Sequence, residues 1–87
     1  MSLIARFDGN MNVISKLLKE YRMKQNMSYE TLSAKLELMG ISIHKQSLYD
    51  IENNKRTVKD YELYAFTKIL KVSYEQLFEG AEDKFIF

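Results

Sequence analysis

No cysteine occurs in the 87 residues, which excludes both a disulfide framework and a thiolate zinc site, and nothing argues for an oxidising compartment. Histidine occurs once, at His44, so no second imidazole can complete a metal site. No apolar run approaches the roughly 18 residues that a membrane span needs, and the N-terminus has no basic region followed by an apolar core. A soluble, cytoplasmic chain with no cofactor, metal or membrane partner is expected. Glycine is scarce, at three residues, and no Gly-rich phosphate loop is present. Ser, His and Asp occur, but nothing places them as nucleophile, base and orienter, so an enzyme is not expected. Repeats, low-complexity segments and proline-rich linkers are also missing.

Net charge is only +1, yet its distribution is uneven. Residues 1–59 carry ten Lys and Arg against six Asp and Glu, while residues 60–87 carry three against six. The basic excess lies in the half that a polyanion-facing surface would occupy.

Hydrophobic periodicity predicts five helices in one all-α domain over 11–80, with an N-terminal arm over 1–10 and a C-terminal tail over 81–87. Asn12 is read as the N-cap of a first helix running to Gln25, with Ile14, Leu18 and Tyr21 inward, Lys16, Lys19 and Lys24 outward, and Asn26 closing it in the left-handed conformation. Ser28 caps a second helix reaching about Leu38, with Leu32, Leu36 and Met39 as its apolar stripe. Its small Ser33 and Ala34 leave room for close approach of another helix. Gly40 breaks the pattern, and Ile41-Ser42-Ile43 leads to a third helix capped by Ser42 or, less favourably, His44. Asn53-Asn54 ends it. Asp60 suits the start of a fourth helix, whose stripe is Leu63, Phe66, Ile69 and Leu70. Ser73 with Gln76 has the form of a capping box for a short fifth helix through Glu79, stopped by Gly80. Leu3, Ile4 and Phe7 in the arm and Phe85-Ile86-Phe87 in the tail are apolar ends that can form a dimer interface or pack back on the domain.

The run Ile43 to Arg56 is the segment least explained by the needs of a core. At about 100° per residue, Leu48, Ile51 and His44 cluster on one side with Glu52 close by, and Gln46, Tyr49, Asp50 and Asn53 point the other way. An idle solvated face usually carries Lys and Glu at i, i+4 spacing. This one is short-armed and rich in paired donors and acceptors, which fits either a face that reads DNA or an ordinary wet helix surface.

Arg22, Met27-Ser28, Leu32-Ser33, Leu48, Ile51-Glu52, the Asn53-Asn54-Lys55-Arg56 exit and Leu70-Lys71-Val72-Ser73 occur together, in order, across residues 12–79. In this combination the chain resembles the phage-repressor type helix-turn-helix domains, the XRE family. The resemblance implies a compact five-helix lambda-repressor-like fold whose third helix enters the major groove of double-stranded DNA. Carried over by position, it makes Lys45, Gln46, Tyr49 and Asp50 the base-reading candidates and Arg22 with Glu52 a structural ion pair. A carboxylate on the inner side of its helix, as Glu52 is, needs such a partner. One departure stands out: about five more residues than the common family pattern lie between Leu36 and Glu52, absorbed around Leu38 to Ser42, so the turn before the third helix is expected to be longer than usual.

Chemically, Gln46 offers a donor and an acceptor together, matching adenine N6 and N7; Asp50 can accept from cytosine N4; Tyr49 can touch a thymine methyl or a phosphate. Ser28 and Tyr29, at a helix N-terminus, and the cationic Lys55 and Arg56 are the phosphate candidates. The alternative for Ser28 is a plain cap, and for Tyr29 it is core packing. The resulting expectation is a small transcriptional regulator, a repressor of phage or mobile-element character, acting as a homodimer on paired half-sites. The competing expectation is a protein-interaction module on the same scaffold, an antitoxin or antirepressor whose partner is a protein.

Overall fold

A computed structural model describes residues 9–85; the arm residues Leu3, Ile4 and Phe7, and Ile86 and Phe87 of the tail, lie outside the described range. Among the described residues there are five α-helices and no strand: α1 (Ser15–Lys24), α2 (Tyr29–Leu38), α3 (Lys45–Glu52), α4 (Asp60–Leu70) and α5 (Tyr74–Leu77), followed by a 3-10 turn over Ala81–Lys84. The expected tail thus starts with a further helical turn.

Every α-helix contributes to a single core. Leu18 of α1, Leu32 and Leu36 of α2, Leu48 and Ile51 of α3, Phe66 and Leu70 of α4, and Leu77 of α5 are all buried. Full burial of one such side chain contributes about 1.5–3 kcal/mol relative to exposure. Leu63 and Ile69 are half-buried at the margin, while Ala65 lies fully inside.

The helix ends follow the local chemistry in most places. Ser28 accepts from the Thr31 N–H at 3.0 Å, and Ser73 accepts from Gln76 N–H at 3.0 Å while the Gln76 side chain accepts from Ser73 N–H at 2.7 Å. Asn26 and Asn54 both adopt the left-handed region, at φ 53° and 61°. α5 stops at Leu77 rather than at Glu79.

Five expectations change. Asn12 does not cap α1, which starts three residues later with Ile14 at the N-cap; the Asn12 side chain is engaged by the far end of α3 instead. Ser42 does not cap α3; His44 occupies that position and makes no side-chain cap bond. His44 is exposed rather than on the inner side, because its backbone is extended, φ −77° and ψ 159°, and helical phase does not apply outside the helix. Met39 is 41% exposed for the same reason, lying one residue beyond α2. Ala34 is exposed as well, so the close approach falls to Ser33 alone, whose hydroxyl donates to the Ile43 carbonyl at 2.7 Å.

The connection from α2 to α3 spans residues 39–44. Gly40 turns it at φ 81°, a value that L side chains rarely adopt. Thereafter Ile41 and Ile43 pack inward and Ser42 and His44 outward, so the segment is anchored by alternation. Leu38 is left 88% exposed at the tip.

Candidate nucleic-acid interface

α3 has two unlike sides. Leu48 and Ile51 are fully buried against α1 and α2, and Glu52 is only 6% exposed, so the inner side is fixed. On the outer side Lys45, Gln46, Tyr49 and Asn53 are exposed and Asp50 is half-buried. The four sequence-predicted readers therefore lie on one continuous surface of a helix that the core holds still.

Glu52 is held by the structure beneath it. Arg22 Nε donates to Glu52 Oε2 at 2.6 Å and Nη2 donates to Oε1 at 3.1 Å, a two-pronged pair linking α1 to the end of α3. Arg22 Nη1 also donates to the Met27 carbonyl at 2.7 Å, which ties in the turn before α2. The hydrogen bond to Glu52 raises the Arg22 pKa above its ordinary value, against the opposing effect of burial. Tyr29 completes the group: its hydroxyl donates to Glu52 Oε1 at 2.9 Å, and the Arg22 guanidinium lies 4.2 Å over its ring. Burial, followed by the Glu52 bond, pushes the Tyr29 phenol up. The Tyr29 hydroxyl thus donates to a carboxylate of the protein, which accords with the core-packing alternative for this residue.

On the outer face, Gln46 Nε2 donates to Asp50 Oδ1 at 3.1 Å, one turn along. Lys45 pairs with Glu30 of α2 at 2.9 Å with both side chains well exposed, and this bond holds the Glu30 carboxyl below the usual range. Exposed pairs of this kind are weak and exchange readily for other partners. The Asn53 amide turns back to the Tyr49 carbonyl at 2.8 Å and so is not directed outward.

The end of α3 is fastened by three asparagines that sequence reasoning did not assign to the site. The Asn12 amide donates to the carbonyls of Ile51, at 3.1 Å, and Arg56, at 2.9 Å, while its oxygen accepts from Ile14 N–H at 2.9 Å. Asn54 Oδ1 accepts from the backbone N–H of Met11, at 2.6 Å, and of Asn12, at 3.1 Å, and its amide donates to Asn10. The chain before α1 is thereby clasped to the exit of α3. The only cue was the density of asparagine on both segments, and helix ending explained it equally well.

Lys55 and Arg56, adjacent in sequence, are placed differently. Lys55 is exposed and forms no ion pair among the described residues. Arg56 donates to both oxygens of Glu62, at 3.0 and 3.1 Å, and Glu62 is almost wholly buried. Burial pushes the Glu62 carboxyl up, but Arg56 and the Lys59 backbone N–H, which donates to it at 2.9 Å, prevail and hold it below the usual range. The sequence signal for this pair was Glu62 at the third position of α4, where a carboxylate reaches back to the N-cap N–H.

A family model for helix-turn-helix domains matches residues 18–77. The chain belongs to that family, in its XRE-type branch of DNA-binding regulators. Within this helix-turn-helix domain α2 and α3 are consecutive helices with six residues between them. The helix-turn-helix family is one of regulators rather than enzymes. No match was found among curated proteins or solved structures. Among the described residues, no helix is long and apolar enough to cross a membrane.

Proposed function

We propose that this chain is a small cytoplasmic regulator that binds double-stranded DNA sequence-specifically as a homodimer and represses transcription, reading the major groove with α3. The observation that carries this reading is the division of α3 into a buried side holding Leu48, Ile51 and Glu52 and an outer side presenting Lys45, Gln46, Tyr49 and Asp50. A reading helix must be rigid from below and polar from above, because base edges are distinguished by donors and acceptors at fixed positions. Gln46 suits adenine, Asp50 suits cytosine N4 and Tyr49 suits a thymine methyl. Lys55 is the strongest phosphate candidate. The α2 N-terminus with Ser28 is a second one, and Arg56 is weaker because Glu62 already balances its charge. A phage or mobile-element setting remains part of this reading through the resemblance alone.

The test is duplex binding under a salt titration, with selection of bound duplexes from a random pool. Sequence preference, a negative log-log slope and a two-fold symmetric site are the expected results. A slope near zero, or no preference, removes the reading.

A second reading, a module whose partner is a protein, is favoured by one observation. An apolar groove of about 330 Å³ runs between Met11, Val58, Leu63, Phe78 and Phe85. Substituting Gln46 and Tyr49 together by Ala separates the two. If function in cells survives that change and is lost in a folded Phe78→Ser variant, the protein-partner reading prevails.

A further inference from the structure

Tyr49 is the largest side chain on the outer face of α3, and it is 43% exposed. Its ring has an aromatic neighbour. The Tyr29 ring on α2 meets it edge to face, with centroids 6.4 Å apart and planes at 76°. Tyr29 in turn has little freedom. Its hydroxyl donates to Glu52 and its ring lies against the Arg22 guanidinium, so both its end and its face are set by the buried ion pair. A line of contacts therefore runs from the core pair through Tyr29 to the exposed Tyr49.

We propose that Tyr29 is a positioning residue for base readout: it holds the Tyr49 ring in one orientation and so sets sequence preference at the base pair Tyr49 faces, without touching the DNA. This rests on α3 being the reading helix. An aromatic ring discriminates by contact, as against a thymine methyl, only if its edge stays at a fixed height and tilt. The apolar neighbours of Tyr49 on its own helix, Leu48 and Ile51, point into the core and cannot supply that restraint. The ring of Tyr29 supplies it. An edge-to-face pair of this geometry corresponds to about a two- to tenfold preference for the held orientation.

The experiment selects bound duplexes from a random pool with the full chain and with Tyr49→Ala, Tyr29→Phe and Tyr29→Leu. Tyr49→Ala locates the base pair at which preference collapses. Tyr29→Leu is expected to flatten preference at that same pair by about two- to tenfold, with other positions and the salt slope unchanged. Tyr29→Phe, which keeps the ring, should retain the preference, and the Tyr29→Leu/Tyr49→Ala double variant should be no flatter there than Tyr49→Ala. Thermal unfolding establishes that each variant is folded, and Tyr29→Met replaces Tyr29→Leu if that variant is not. Uniform weakening on all duplexes, an unchanged profile, or a change at a different base pair overturns the proposal. A Tyr49→Ala profile identical to the parent also overturns it, since nothing would remain to be positioned. Loss of all sequence preference in the parent chain would instead overturn the reading of α3 on which it rests.

Discussion

The side-chain amide of Asn12 donates to the main-chain carbonyl of Ile51 at 3.1 Å, joining residues 39 positions apart and fixing the last turn of α3 to the chain that precedes α1. The same amide reaches the Arg56 carbonyl at 2.9 Å. Removing it would take a donor from both carbonyls, leaving Ile51 only the longer bond from Asn54 N–H at 3.2 Å. Asn12→Ala should therefore destabilise the fold by about 1–3 kcal/mol. Asn12→Asp should cost more, because it sets a carboxylate against two carbonyl oxygens. Urea unfolding of the three proteins gives the order; an Asp variant as stable as the parent would refute it.

Arg22 and Glu52 are buried and joined by two hydrogen bonds. Breaking the pair leaves an uncompensated buried charge, so Arg22→Ala or Glu52→Ala alone should cost about 3–5 kcal/mol. Arg22→Ala with Glu52→Ala should cost clearly less than the sum of the two single changes. Additive losses in a double-mutant cycle would show that the two groups are not coupled.

The lowered carboxyl of Glu62 makes stability depend on pH. Since its folded value lies below the ordinary carboxylate value of about 4.3, the pair with Arg56 stabilises fully above that pH and is lost as pH falls through the folded value. Glu62→Gln should be less stable than the parent at neutral pH, and the gap should narrow on acidification. Denaturation midpoints from neutral pH down to the acid range measure it. A gap that stays constant would exclude this linkage.

Lys55 is exposed and forms no ion pair among the described residues, so on a duplex it should act as a plain cation. Lys55→Ala is expected to weaken binding by a similar factor on every sequence and to reduce the salt slope by about one phosphate contact, roughly 0.9. An effect confined to one base position would point instead to base contact.

Gln46 and Asp50 are joined at 3.1 Å, which links their effects on recognition. Gln46→Ala should relax discrimination at one base pair by about 1–3 kcal/mol. Because Asp50 helps orient the Gln46 amide, the Gln46→Ala/Asp50→Ala double variant should lose less than the two single variants combined. Competition binding with single-base substitutions in the selected site decides this.

Periodicity and capping chemistry were enough to determine the five helices and most of their inner residues, Met39, His44 and Ala65 being exceptions, because Leu18, Leu32, Leu36, Leu48, Phe66 and Leu70 recur at helical spacing and Ser28, Ser73, Asn26 and Asn54 act on neighbours within a few residues. The pairing of Arg22 with Glu52 was also legible, since a carboxylate on an inward face demands a cation and the family resemblance supplied one. Tertiary structure alone decided the rest. Asn12 had the right type and position to cap a helix, yet carbonyls some 40 residues away took its amide. Tyr29 and Arg56 have the right chemistry for phosphate, and the packed chain also gives each a carboxylate partner, Glu52 and Glu62, that local sequence did not reveal. The physical reason is common to these cases: polar side chains have several possible partners of similar strength. Sequence fixes what a group can donate or accept, and only the packed chain fixes which partner comes within reach.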